Sequence, residues 1–222
     1  MNSKNCIIFD CDGVLVDSEP LAERAYQQVY SDSGLAIDPS IMQYCIGLKQ
    51  TDIIAKIAEL TGHYLPTEWH AEIWPTTRKL FEASLQSTTE IKPFLAHLQQ
   101  ARCVASSSSV ERLNVSLGLT GLLDFFKPSI FSSSMVQNGK PAPDLFIFAA
   151  QQMGYQPTNC IVIEDSFLGV QGAVAAGMKA IGFVGGSHAN SQTAQRLHAH
   201  GATAICSSWN EVAETLIKLG IN

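Results

Sequence analysis

Six short apolar runs, each ending in small or acidic residues, punctuate the chain at unequal intervals. They are Cys6 to Phe9, Arg102 to Ala105, Ser129 to Phe131, Cys160 to Ile163, Ala180 to Val184 and Thr203 to Cys206. Runs this short and this apolar read as strands. From the second run onward the gaps carry helical patterns, at Val110 to Leu117, Asp144 to Met153, Leu168 to Ala176 and Ala189 to His200, with a last one at Trp209 to Leu219. Alternation of strand and helix predicts right-handed βαβ units and a parallel sheet covered on both faces, a doubly wound, Rossmann-like α/β fold.

The spacing adds a second constraint. The runs ending at Phe9 and Ala105 are 96 residues apart, whereas the later ends follow at 26, 32, 21 and 22 residues. One βα unit takes roughly 30 residues, so about two thirds of the first interval is surplus. The surplus is patterned as helix. Ser18 stands before Glu19-Pro20 as a predicted N-cap, with Leu21, Ala25 and Val29 at i, i+4 and i+8. Ile53, Ile54, Ile57 and Leu60 form another stripe that Gly62 ends, and Trp69, Ile73, Leu80 and Phe81 fit a longer helix that Pro75 should kink or split. Residues 17–88 are therefore expected to form a helical cap domain, inserted into a core domain of residues 1–16 and 89–222. The insertion leaves from the carboxyl end of the first strand, where open α/β sheets bind ligands, so the cap should overhang the site.

Composition narrows the function classes. Hydrophobic residues make up 46% of the chain and charged residues 15%, too apolar for a disordered chain and too mixed for a membrane bundle. Fourteen Lys and Arg against twenty Asp and Glu give a net charge of −6, which offers no basic face to a phosphate backbone, so nucleic acid is not expected as a partner. Neither is a membrane, since no apolar run approaches about 18 residues. The six cysteines are irregularly spaced, with no C-x-x-C pair, which argues for reduced thiols and against a zinc site or a disulfide framework. Together with an N-terminus too short for a signal sequence, this places the expectation in the cytoplasm, and a monomer suffices for a chain of this size.

Four features follow four different predicted strands. Phe9-Asp10-Cys11-Asp12-Gly13 puts two carboxylates two residues apart before a glycine. Ser106 follows Cys103-Val104-Ala105, Lys140 lies in Gly139-Lys140-Pro141-Ala142-Pro143 after the third strand, and Glu164-Asp165 follows the fourth. Together these resemble the four signature motifs of the haloacid dehalogenase superfamily over essentially the whole chain. Asp12-Gly13-Val14-Leu15-Val16-Asp17-Ser18, Glu164-Asp165-Ser166 and the early helical insertion look like its β-phosphoglucomutase-like branch.

The resemblance implies a Mg²⁺-dependent phosphatase acting on a small phosphorylated metabolite, a sugar or sugar-acid phosphate. Hydrolysis of a phosphate monoester needs a placed nucleophile, a cation to offset charge repulsion and a proton for the leaving oxygen. In that scheme Asp10 is the nucleophile that becomes an aspartyl-phosphate, and Asp12 is the general acid and base. Gly13, Ser106, Ser107 and Lys140 hold the phosphoryl group. Asp10, the backbone carbonyl of Asp12, and Asp165 bind the metal, with Glu164 acting at least partly through water. Glu19, Arg24, Gly47 and Lys49 fall where relatives select substrate. A phosphomutase is the second reading; against it, Ala22 stands where the mutases carry a hinge histidine. A third is a non-enzymatic phospho-aspartate switch, disfavoured by an insertion whose size suits a lid.

Other residues read blandly. Asp17, Ser18 and Asp144 fit helix starts. His63, His70, His97, His188, His198 and His200 lack ligand spacing and read as surface or packing residues, and Tyr44, Trp69 and Trp74 as cap core.

Overall fold

The computed structural model describes residues 4–221. Six strands, β1 (Cys6–Phe9), β2 (Ala101–Ser106), β3 (Ile130–Ser132), β4 (Cys160–Glu164), β5 (Lys179–Phe183) and β6 (Ala204–Cys206), form one sheet in the order β3-β2-β1-β4-β5-β6. Every neighbouring pair is parallel, as expected of the doubly wound class. The helices are α1 (Glu19–Asp32), α2 (Gln50–Thr61), α3 (Ile73–Ser84), α4 (Ile91–His97), α5 (Val110–Leu119), α6 (Leu123–Phe126), α7 (Asp144–Met153), α8 (Phe167–Ala175), α9 (Thr193–Ala199) and α10 (Trp209–Lys218).

Strand periodicity of two sorts the sheet residues onto its faces. Ile7, Phe9, Val104, Ile161, Ile163, Ile181 and Phe183 share one buried cluster with residues of α4, α5 and α10. Cys6, Ile8, Cys103, Ala105, Val162 and Ala180 share the other with residues of α7 and α8. All six cysteines are free and buried, four of them in strands. The strand order reverses between β1 and β4, and the pairing of Phe9 with both Val104 and Ile163 sets the carboxyl ends of β1, β2 and β4 level at that reversal. This is where open sheets of this class place ligands.

Helices α1, α2 and α3 gather around a separate apolar cluster of Tyr26, Val29, Tyr30, Ile54, Ile57 and Ile73. The return from this segment is tied down at Thr88, whose Oγ1 donates to the Val14 carbonyl at 2.7 Å and accepts from Trp209 Nε1 at 3.1 Å.

Several local expectations need correction. Ser18 makes no cap hydrogen bond; its hydroxyl donates instead to the Asp12 carboxylate, a stronger acceptor. The break near Pro75 falls two residues earlier, where a 3₁₀ segment (Thr67–Glu72) gives way to α3, so that Pro75 occupies a first-turn position needing no amide donor. Helix α9 is shorter than its pattern because Asn190 turns the chain: its side chain accepts from Gln192 N and its amide donates to Thr193 Oγ1. Tyr44 is 45% exposed rather than core. No helix among the described residues is long and apolar enough to cross a membrane.

Candidate active site

Strand β1 delivers Asp10 to the point of strand reversal, where its amide continues the ladder by donating to the Ile163 carbonyl at 2.9 Å. Lys140, in the loop before α7, reaches it from the other side of β1's carboxyl end. Its Nζ donates to Asp10 Oδ1 at 2.8 Å and to Glu164 Oε1 and Oε2 at 3.3 and 3.2 Å, all three residues being buried. Burial works against the Lys140 charge, but Asp10 and Glu164 outweigh it and hold the ammonium above its ordinary pKa. Burial pushes Asp10 up to about 6, against the pull of Lys140 and with help from Asp165. Glu164 is raised further by burial and the Asp10 charge, and its Oε1 also accepts from Ser166 Oγ at 2.5 Å.

Asp165 completes an acidic cluster. Carboxylate oxygens of Asp10, Glu164 and Asp165 lie within 4.8 Å of one another, and Lys140 offsets only one of the three charges. Asp165 Oδ2 is buried, with His188 as its close partner. Hard oxygen donors and three carboxylates, more than Lys140 and that imidazole together can offset, fit a divalent cation. The same carboxylate faces a residue that sequence reasoning had set aside: His188 Nε2, on the loop after β5, stands 2.9 Å from Asp165 Oδ2. Burial opposes protonation of this imidazole, but Asp165, Glu19 and Asp17 prevail and carry its pKa up to about 9. Asp17 is not a helix-start residue; its Oδ1 accepts from Ser187 N and Oγ and so tethers the loop that carries His188.

Gly13 turns the chain away from β1 with φ +73°, and a Cβ there would fall 2.0 Å from Asp165 Oδ2 and 2.8 Å from His188 Cε1. The glycine thus makes room for the Asp165–His188 pair.

Asp12 is held by three side chains. Oδ1 accepts from Ser18 Oγ at 2.6 Å and from Arg112 Nη2 at 2.7 Å, and Oδ2 accepts from Ser108 Oγ at 2.6 Å. Burial alone would raise this carboxyl, but Arg112 and the two hydroxyls bring it below the usual carboxylate value. Arg112, on α5, was missed in the sequence because helical periodicity marks only a polar position there. None of the four serines after β2's apolar run is a bare solvated side chain. Ser106 Oγ accepts from Ser108 N, Ser107 Oγ donates to the Gly47 carbonyl at 2.7 Å, Ser108 binds Asp12, and Ser109 caps α5 by accepting from Arg112 N.

The enclosed space at this end of the sheet is lined by Asp10, Asp12, Ser106 and Arg112 from below and by Glu19, Tyr26 and Leu48 among others from the insertion. Burial and the charges of Asp12 and Asp165 push Glu19 up to about 8. Gly47 closes the roof with φ +83°; a Cβ there would meet Ser166 Oγ at 2.4 Å. Lys49 is exposed at the rim of an adjoining cavity. Arg24 is exposed on α1 and lines neither space.

A family model described as a haloacid dehalogenase-like hydrolase matches residues 4–177. The 6-phosphogluconate phosphatase of Escherichia coli (strain K12) is 30% identical over 190 residues, covering 85% of this chain and 86% of that protein. The fructose-1-phosphate phosphatase of the same organism is 32% identical over 177 residues, 79% and 94% of the two chains. Among solved structures, a conserved haloacid dehalogenase-like protein of unknown function from Agrobacterium tumefaciens superposes with a TM-score of 0.84 at 32% identity, covering 97% of this chain and 99% of its own. The strand order, the buried acidic cluster with its lysine and these matches agree: the chain belongs to the haloacid dehalogenase-like hydrolase family.

Proposed function

We propose that this enzyme hydrolyses the phosphate monoester of a small metabolite, a sugar or sugar-acid phosphate, through an aspartyl-phosphate on Asp10 with Mg²⁺ as cofactor. The phosphatase names of its matched family members make it a phosphoric monoester hydrolase. The observation that carries the finer reading is the buried meeting of Asp10, Glu164 and Asp165 around Lys140 at the strand reversal.

In this reading Asp10, Asp165 and the Asp12 carbonyl hold the cation, with Glu164 beside them. When bound, the cation offsets the negative charge of carboxylate and phosphate so that the two can approach. Asp10 attacks phosphorus, Lys140 adds fixed positive charge next to the attacking oxygen, and Ser106 with the following amides and Gly13 receives phosphoryl oxygens. Asp12 gives a proton to the departing alkoxide and takes one from the water that releases phosphate, a role that requires the substrate to draw Arg112 away, since Arg112 otherwise keeps it ionised. Residues 17–88 act as a cap domain that excludes bulk water during transfer, over a core of residues 1–16 and 89–222.

Hydrolysis is favoured over the phosphomutase alternative because Ala22 lines the space above Asp12 and offers no group to steer a second hydroxyl. A panel of phosphorylated metabolites assayed for phosphate release with and without Mg²⁺, beside Asp10→Asn, tests the proposal. Release that needs Mg²⁺ and disappears in the variant is the expected result. Activity that survives Asp10→Asn overturns it, and conversion of a hexose phosphate to its isomer without phosphate release favours the mutase.

A further inference from the structure

Two runs of serine stand side by side at the carboxyl ends of β2 and β3, Ser106 to Ser109 and Ser132 to Ser134, and the strand register pairs Ser106 with Ser132. Ser106, Ser107 and Ser108 line the space over Asp10, and none of the second run does.

Ser132 is fully buried, and its hydroxyl has no freedom. It donates to the Ser108 carbonyl at 2.7 Å. A carbonyl only accepts, so the single hydroxyl proton is committed there, and in the 2.9 Å contact with Ser134 Oγ the donor is Ser134. The Ser134 amide donates to the same oxygen at 3.2 Å. One proton given and two lone pairs filled leave the group with a single orientation. Ser133, next along, donates to the Ser107 carbonyl at 2.9 Å.

These bonds hold the backbone of the first run from behind. Residues 107–109 belong to no strand or helix, so no ladder supplies that support. Ser108 is fixed at both of its main-chain polar groups, the carbonyl by Ser132 and the amide by Ser106 Oγ at 3.1 Å. The direction of its side chain follows, and its hydroxyl meets Asp12 Oδ2 at 2.6 Å. Ser107, held through its carbonyl by Ser133, sends its own hydroxyl to the Gly47 carbonyl in the roof. Two adjacent serines at the end of β3 thus stand behind two different hydroxyls, one on the acid and one on the roof.

Resting on the phosphatase reading, with Asp12 as its acid, we propose that Ser132 and Ser133 are positioning residues with separate tasks: Ser132 sets proton transfer from Asp12 through Ser108, and Ser133 sets closure of the roof through Ser107. The end of β3 is then the support on which acid catalysis and closure both rest, without lining the site.

The test uses two esters that differ by one methylene. p-Nitrophenyl phosphate loses a phenolate that departs without a proton, whereas p-nitrobenzyl phosphate loses an alkoxide that needs one. Their kcat/KM values report events up to phosphoryl transfer to Asp10 and not the later hydrolysis, and a mere loss of folded protein lowers both alike. Ser132→Ala should lower kcat/KM for the benzyl ester about 10-fold more than for the phenyl ester, part of the roughly 100-fold that a misplacement of about 1 Å can cost. Ser132→Cys keeps the shape with a poorer donor and should shift the ratio about threefold, which gives the same reading should the alanine variant not fold. Ser108→Ala should shift the ratio at least as far as Ser132→Ala, and the double variant no further, because Ser132 acts through Ser108. Ser133→Ala should leave the ratio within about twofold of wild type and instead speed trypsin cleavage after Lys49 about threefold, as the roof opens more often.

A ratio unmoved by Ser132→Ala or Ser132→Cys overturns the task of Ser132, as does a double variant whose loss is the product of the two single losses. Unchanged cleavage after Lys49 in Ser133→Ala overturns the task of Ser133. In each of these cases the wild type still hydrolyses the esters and the phosphatase reading stands; if the wild type releases phosphate from no compound, that reading falls and the inference with it.

Discussion

Lys140 places one ammonium group between two buried carboxylates, 2.8 Å from Asp10 Oδ1 and 3.2 Å from Glu164 Oε2. Glu164 is fully buried and Asp10 nearly so, and each draws charge compensation from the lysine. Lys140→Met should therefore cost more than an active-site substitution at a surface. Loss of one partner of a buried pair removes about 3–5 kcal/mol of stability, and here two acids are orphaned together. Urea unfolding should show a fall in that range and kcat/KM a loss of at least about 100-fold. A variant that unfolds at the wild-type midpoint would mean that the pair is not compensated by Lys140.

Much of this arrangement was legible in the sequence because it sits on strand ends. Asp10, Ser106 and Glu164-Asp165 each follow an apolar run, and parallel packing forces such ends to one side of the sheet. What escaped notice reaches the site from elsewhere. Arg112 arrives from the first turn of α5 and His188 from a loop with no regular structure, and each meets an acid at least 23 residues away in the chain. No periodicity encodes such a meeting. Ser18 misled for the opposite reason: local chemistry suited an N-cap, but a carboxylate six residues back won its proton.

Gly13 offers a controlled test of how tightly the acidic cluster is built. Gly13 and Gly34 both sit at positive φ, +73° and +83°, but a Cβ at Gly34 meets nothing within 4 Å whereas one at Gly13 would lie 2.0 Å from Asp165 Oδ2. Gly34→Ala thus reports backbone strain alone, about 1 kcal/mol. Gly13→Ala adds a collision with a cation-site carboxylate and should cost about 3 kcal/mol or more. Calorimetric titration with Mg²⁺ should also show weaker binding in Gly13→Ala and none of that effect in Gly34→Ala. Equal melting losses in the two variants would contradict the crowding seen at Gly13.

His188 should make the cation-free protein sensitive to alkaline pH. Its folded pKa of about 9 lies above the ordinary histidine value of 6.5, so the protonated form is favoured by folding. That contribution is complete below about pH 6.5 and disappears as pH climbs to about 9, where the folded state also releases the proton. With EDTA present, the melting temperature should decline across this window, and His188→Gln should flatten the decline. Mg²⁺ should flatten it too, by neutralising Asp165 in place of the imidazolium. An unchanged slope in His188→Gln would assign the alkaline loss to other groups.

Closure over the site is held partly by a bond from the core to the roof, Ser107 Oγ to the Gly47 carbonyl at 2.7 Å. The space beneath is about 40 Å³, far below the several hundred Å³ of a small-molecule pocket, so a sugar phosphate cannot enter until the roof lifts. Lys49, two residues beyond Gly47, is exposed and is a trypsin site on the segment that would lift with the roof. Ser107→Ala deletes the bond at a cost of about 1 kcal/mol, which raises the open population about fivefold. Cleavage after Lys49 should speed up by that factor while global unfolding barely shifts, because proteolysis in rapid exchange follows the open fraction. The same substitution should lower kcat more than it changes KM, since a looser roof admits substrate readily but excludes water poorly. Unaltered cleavage after Lys49 in Ser107→Ala would mean that the apolar contacts of the insertion, and not this bond, set the closed state.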